Sequence, residues 1–436
     1  MILIYCKKTT PRIEYIFNHF LNLILKKKFS ITNSKSNFLD FSGYKFSYGN
    51  VPISKELFFQ SNGLLDEKGL ENHEIKTFEW EGVKCFFKVS SKSALPFDVF
   101  SASFFLLSRY EEYIPHTGNK FSQFNYLESV AYREEFLEIP LIDIWIEKFK
   151  SILETRMKLK FTKNSKNQKP SIIINSIYPF KYTNKYPFES FTIWFKNLIK
   201  LNLWETIEHF FVFFKIKVDP WEIDNYLKKI LLNSKTKVLF FFSFSSESHF
   251  KNETPKTNEY FKMYIKEVSD NFKMGLLPSN KAQKNIKTFE LEILNFSNLV
   301  HMKINNVMLQ EGLKKMSLDY KNFLSLDNAN DFSMGYVDAF GYRASTGSPF
   351  FFYDLSNETK TNLLLTPFVA HHRLIDKTSL SEAIDKLQKF KEIGKKYYGS
   401  FSIILNNEIF ENSFKNRKRR FHFISLVKNI NNRFKK

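Results

Sequence analysis

The stretch Asp331–Leu355, DFSMGYVDAFGYRASTGSPFFFYDL, is the most punctuated part of a chain otherwise rich in Lys, Asn and Phe. Gly335, Gly341, Gly347 and Pro349 divide it into short pieces, and small residues surround a single arginine, Arg343. Backbone of that composition takes tight or left-handed turns while one long cation projects from it. The apolar run Pro349–Leu355 that follows reads as a buried strand. An isolated charge among turn residues beside a strand is where α/β enzymes place functional groups, although an arginine in a polar loop is more often structural. The stretch therefore bears on the fold class, α/β, and on where chemistry is to be sought.

The rest of the chain sets the frame. At 436 residues it is too long for one ordinary domain and long enough for two cores. With 43% hydrophobic and 25% charged residues it has a globular composition. The formal charge of +20 suits phosphate-bearing partners. Its distribution argues otherwise, because the basic residues are scattered and no nucleic-acid motif accompanies them; no specific nucleic acid is expected. The exception is the acid-free tail after Glu411, with Lys415, Arg417, Lys418, Arg419, Arg420, Lys428, Arg433, Lys435 and Lys436, which suits weak contact with a membrane surface. Cys6 and Cys85 are too few for a disulfide framework or a thiolate metal site. The N-terminus lacks a long apolar run followed by a cleavage site, and no run reaches the length of a membrane span, so a cytoplasmic chain is expected.

Along the chain, residues 2–6 alternate as a strand, and Pro11 opens a helix with Ile13, Ile16, Phe17, Phe20, Leu21 and Ile24 on one face. Short strands follow to about residue 90. Ala94–His116 is expected to be a helix starting near Pro96 and Asp98, its Asp98, Arg109, Glu111 and Glu112 forming surface ion pairs. Leu141–Leu159 gives a further helix. The polar segment 161–170 is placed as a linker between an N-terminal domain, 1–160, and a second domain, 171–412, followed by a basic tail, 413–436. In the second domain apolar runs at Ile172–Ile174, Val238–Phe242, Met274–Leu277, Leu299–Ile304, Leu363–Leu365 and Phe401–Leu405 alternate with helical stretches, as in a parallel sheet or barrel. One of these helices has a capping box, Ser379 with Glu382, and is expected to end at Gly394.

In such a fold the functional groups project from the carboxyl ends of the strands. Those ends read Asn175-Ser176-Ile177, Leu277-Pro278-Ser279, Asn305-Asn306-Val307 and Asn406-Asn407-Glu408, with His371 and His372 after the Leu363–Leu365 strand. Only Arg343, His371, His372 and Glu408 offer charge or metal-ligand chemistry, and adjacent histidines on a loop point different ways, so they are not expected to share a metal.

Several segments resemble a group of bacterial polysaccharide deacetylase family proteins, carbohydrate esterase-like, that carry an extra N-terminal domain. The resemblance lies in Pro96–His116, PFDVFSASFFLLSRYEEYIPH, and Ser129–Trp145, SVAYREEFLEIPLIDIW; then in Val218–Leu227, VDPWEIDNYL, Met274–Ser279, MGLLPS, Asp331–Leu355 and Leu405–Glu408, LNNE. It implies an N-terminal α/β domain followed by a deformed (β/α) barrel of the polysaccharide deacetylase type, with carbohydrate as partner. It also implies an aspartate base, a second aspartate with histidines on a divalent metal, and a late histidine acid. Here Asn175, Ser176 and Ile177 stand at the Asp-x-Asp position, Leu277 replaces the histidine of Gly-x-His-Pro-Ser, Asn305-Asn306-Val307 replaces Arg-Gln-His, and Asn406 replaces the histidine of His-Asn-Glu. The expectation is an inactive, carbohydrate-binding or scaffolding relative with no catalytic residues, metal or cofactor, and with Arg343, Glu408, His371, His372, Asn175 and Asn406 as ligand-binding candidates. The alternative is a hydrolase on acylated or other sugars, working through a site rebuilt at the barrel mouth.

Overall fold

The computed structural model describes residues 1–118, 123–161, 171–183, 187–231, 236–245, 256–397 and 401–413, with Arg417, Arg420, Phe421, Ile424 and Ser425 of the tail. The 162–170 segment and most of the basic tail lie outside the described residues. The chain is mixed α/β, with parallel sheets. Its strands in order are β1 (Ile2–Cys6), β2 (Phe29–Thr32), β3 (Tyr44–Gly49), β4 (Leu57–Gln60), β5 (Phe78–Trp80), β6 (Val83–Cys85), β7 (Ser171–Ser176), β8 (Lys237–Phe242), β9 (Lys273–Leu276), β10 (Asn306–Val307), β11 (Asn330–Asp331), β12 (Phe350–Asp354), β13 (Thr359–Leu365), β14 (Ala370–His371) and β15 (Ser402–Asn406). Two compact units divide the chain, the first 1–168, 312–369 and 389–401, the second 169–311, 370–388 and 402–436.

The first unit is built on a parallel sheet in the order β2-β1-β3-β4. Thr10 accepts the Ile13 N–H at 3.2 Å and Pro11 stands at the first helical position, so the Pro11–Phe17 helix starts where the sequence places it. The chain continues with wider turns to Ile24. All six residues of the expected apolar face are buried. Phe100 meets Phe17 (4.8 Å), Phe59 (5.6 Å) and Phe149 (5.4 Å) edge to face, so the high aromatic content becomes core.

The helix expected over Ala94–His116 is shorter than its apolar pattern. Asp98 caps it through the N–H groups of Phe100 and Ser101, but it ends at Leu107 and is buried on every side. Arg109, at φ 54°, turns the backbone left-handed into the 3-10 turn Tyr110–Tyr113. That turn sends its guanidinium inward: Arg109 is fully buried and its partners Glu111 and Glu112 lie inside with it, instead of on a helix surface. Asp331–Leu355 belongs to this unit, and Pro349–Leu355 contains the expected strand, β12, paired antiparallel with β13.

In the second unit the strands run parallel in the order β10-β9-β8-β7-β15-β14. The wholly buried β7 and nearly wholly buried β8 are the continuous apolar runs of a sheet covered on both faces. The strand expected at Leu299–Ile304 is instead the end of the Ile286–Val300 helix, closed by His301 in the left-handed region; Phe289, Ile293, Phe296 and Val300 recur at helical spacing, and the strand is Asn306–Val307. The Leu380–Lys396 helix starts with the Glu382 N–H on Ser379 Oγ (3.3 Å) and runs through Gly394.

Candidate functional site

In a parallel sheet the last residues of neighbouring strands come together at one edge, and a strand flanked by neighbours reached in opposite directions opens a crevice there. β7 is such a strand, with its successor β8 on one side and the late strand β15 on the other. Register sets Asn175 of β7 between Asn406 of β15 and Phe241 of β8. Residues on one rung project to the same face, so the two amides stand side by side next to the Phe241 ring. That ring lies over Gly275 of β9, where an added Cβ would approach it to 2.2 Å.

Asn175 is 2% exposed and Asn406 is half-buried, yet the Oδ1 of each is buried with no hydrogen-bond partner among the described residues. Ser176 Oγ, on the other face, is in the same condition. An oxygen left this way costs about 1–3 kcal/mol unless water or a ligand meets it. Glu408 follows in the Asn407–Phe410 turn and is half-buried.

Two residues not singled out from sequence shape this edge. Asn407 donates its Nδ2 to the carbonyls of Tyr178 (2.9 Å) and Trp221 (3.4 Å). Asp219 accepts the backbone N–H groups of Lys181, Tyr182 and Thr183, each at 2.8 Å, and of Trp221 at 3.0 Å. The segment after β7 is thereby tied to the Val218–Leu227 segment. The signal available in sequence was the Asp219-Pro220-Trp221 cluster itself, since a short acid before a proline commonly caps a turn.

His371 and His372 lie one step along. They do not hang from a loop after Leu363–Leu365: His371 closes the short strand β14, opposite Ile404 of β15, and His372 opens a helical turn. Nor do they splay apart, because their rings lie against each other at a 35° tilt with centroids 4.2 Å apart. His371 is 3% exposed; burial, then His372 and Arg373, push its pKa well below the ordinary imidazole value, so the ring is neutral and its Nδ1 accepts the Arg373 N–H at 3.3 Å. Asn175, Asn406, Glu408, His371 and His372 are thus brought to adjacent strands β7, β15 and β14 of the second unit.

Arg343 belongs to the first unit and is 1% exposed. Its Nε and Nη2 donate to Glu112 at 2.9 and 2.7 Å, its Nη1 donates to the Gly335 carbonyl at 3.3 Å, and its guanidinium lies 5.3 Å from the Tyr336 ring centre. Arg109 donates to the same carboxylate at 2.7 Å. Burial alone would raise the Glu112 pKa, but Arg343 and then Arg109 bring it down to about 2. The small residues after Arg343 serve a second buried acid: Asp143 accepts from Thr346 Oγ1 (3.0 Å), Gly347 N (2.8 Å) and Ser348 Oγ (2.8 Å). The guanidinium is spent on architecture.

A divalent metal centre does not fit the donors at the sheet edge. Asn175, Ser176, Ile177, Leu277 and Asn406 are neutral or apolar, and amide oxygens are poor ligands for transition metals. Among the described residues the converging trio of acid and imidazole donors is Glu67, Glu71 and His73 of the first unit, all within 4.8 Å of one another. Arg12, 4.0 Å from Glu67, already supplies positive charge there.

Comparison with known proteins agrees in part. Residues 2–158 match a family described as a family of unknown function, DUF7033. No curated protein matches the chain. A crystal structure assigned as a polysaccharide deacetylase from Mycobacterium smegmatis is similar over 60% of this chain and 84% of its own, with 9% identity and a TM-score of 0.33. A likeness at that level decides neither barrel closure nor activity. No described helix is long and apolar enough to cross a membrane.

Proposed function

We propose that this protein is a polysaccharide deacetylase-like chain without deacetylase chemistry, its second domain a deformed (β/α) barrel that binds carbohydrate at the carboxyl edge of the sheet. One observation carries this reading: Asn175 and Asn406 stand on one rung at the β7/β15 edge, each with a buried Oδ1 that no hydrogen-bond donor among the described residues meets. Amides and hydroxyls both donate and accept, which suits sugar hydroxyls and N-acetyl groups, whereas water activation needs a base and a charged ligand set. Half-buried Asn406 and Glu408 are the members a glycan reaches, with Asn175 behind them and the adjoining His371 and His372 rings at the side. The sequence resemblance supports the carbohydrate class, and the neutral strand ends support loss of hydrolysis.

The test joins binding and turnover. Calorimetry with N-acetylglucosamine oligomers and their deacetylated counterparts is expected to show binding that weakens about tenfold in Asn406→Ala, the loss of one well-made hydrogen bond. Esterase assays with added zinc, nickel or cobalt are expected to show no turnover. Metal-dependent turnover abolished by a chelator overturns the proposal. Turnover that resists chelation and disappears in Glu408→Gln instead favours a hydrolase with a rebuilt site.

A further inference from the structure

The second unit carries a helical hairpin built inside out. Its first helix is Pro187–Ile199 and its second Leu203–Phe213, joined by a tight turn in which Leu201 is left-handed. A helix on a water-facing surface buries its apolar stripe and exposes its polar one. The second helix does the reverse. The residues it buries are Thr206, Glu208, His209 and Val212, with Glu208 ion-paired to Lys217 and His209 stacked on Tyr182 at 4.6 Å. Facing outward are Trp204 (68% exposed), Phe213 (66%), Phe214 (56%) and, from the first helix and turn, Phe191 (60%), Ile199 (66%) and Leu201 (79%). Almost half of the large apolar side chains exposed among the described residues fall between Phe191 and Val218. Soluble monomers rarely expose a contiguous apolar patch of more than a few hundred Å², so this face has a partner.

Charge identifies the partner. Among the described side chains from Phe191 to Val218 the exposed charges are Lys196, Lys200 and Lys215, all positive, while Glu205 is half-buried and Glu208 is buried and paired. Protein–protein interface cores are depleted in lysine. An apolar face of Trp, Phe, Leu and Ile set among lysines is what the headgroup zone of an anionic bilayer takes up: rings enter the acyl boundary while lysine stems reach back to the phosphates. We infer that the Pro187–Val218 hairpin is an interfacial anchor that seats the second unit on an anionic lipid surface without spanning it. This anchor is distinct from the basic tail and from the amide-lined sheet edge.

Flotation of the full chain with vesicles tests it. The chain is expected to float with mixed phosphatidylcholine–phosphatidylglycerol vesicles and far less with phosphatidylcholine alone. Neutralising either Lys196 or Lys200 to Gln is expected to weaken binding about fivefold. The triple change Phe210→Ser, Phe213→Ser, Phe214→Ser should abolish flotation while leaving the circular dichroism spectrum unchanged, since these side chains are exposed. Should the triple variant not fold, quenching of the intact chain by brominated lipids decides, with Trp204→Phe expected to remove part of the quenching. Three results overturn the inference: no flotation with either vesicle, a folded triple variant that floats like the parent, or no difference between the parent and Trp204→Phe in quenching. Concentration-dependent self-association lost in the triple variant, without any lipid effect, would assign the face to a second copy instead.

Discussion

Glu112 in the first unit is gripped by two guanidiniums, whereas Asn175 in the second unit holds a buried amide oxygen that no donor among the described residues meets. Both are polar groups removed from water. In the first unit the buried acids are kept and met by several donors: Asp143 accepts from Thr346, Gly347 and Ser348, and Asp331 is held by Tyr320 and Ser333. Charge there is architectural, and removing one partner leaves another buried ion exposed to a low dielectric. At the second unit's edge the strand-end residues Asn175 and Asn406 are uncharged, and their buried amide oxygens cost far less to hold out of water than an ion does.

The largest test of this contrast is Glu112→Gln, which takes the carboxylate from Arg343 and leaves Arg109 with Glu111 alone. A loss of about 3–5 kcal/mol is expected in urea unfolding, and a loss under about 1 kcal/mol would break the contrast. A smaller effect comes from the first unit's own exception. Both ring nitrogens of His19 are buried without partners, and burial pushes its pKa down to about 3. The unfolded imidazole takes up a proton near 6.5 and the folded one does not, so stability is lost as pH falls from 6.5 towards about 3. Burial pushes Asp143 and Asp331 up to about 6, which works the other way between about 6 and 3.8, because the folded carboxyl takes its proton first. The His19→Leu variant separates the two: its stability relative to the parent should rise steadily as pH drops below 6.5, and a flat difference would show the ring to be solvated. The smallest effect is expected from Asn175→Leu, which should leave stability within about 1 kcal/mol of the parent or raise it, since an unmet oxygen is exchanged for an apolar group. A loss as large as that of Glu112→Gln would mean that the amide is paired and the edge is structural.

Much of the local structure was legible because it obeys local rules. The 3.6-residue spacing from Ile13 to Ile24, the caps at Thr10, Asp98 and Ser379, and the apolar runs of β7, β8, β13 and β15 each state their conformation within a few residues. The errors fall where one pattern serves two masters. Leu299–Ile304 mixes the last apolar turn of a helix with the approach to a strand, and Val99–Leu107 is buried on every side, so periodicity carries no warning that Arg109 will turn left-handed. The candidate site divides in the same way. That Asn175, Leu277 and Asn406 lack metal-ligand chemistry follows from residue identity, but the alignment of Asn175 with Asn406 on one rung, the contact of the His371 and His372 rings and the loop ties through Asn407 and Asp219 are register and packing facts.

By itself the sequence determined the α/β class, the positions of most elements and the uncharged side chains at Asn175, Leu277 and Asn406, because these depend on residue type and on spacings of two to four residues. Only the tertiary structure decided what Asp331–Leu355 is for. Arg343 finds Glu112 at a separation of 231 residues, and Asp143 reaches Gly347 across 204, distances over which no periodicity carries information. It also decided which face of the Leu203–Phe213 helix meets water, since a helix apolar on one side and polar on the other can be seated either way until its neighbours offer partners for Glu208 and His209.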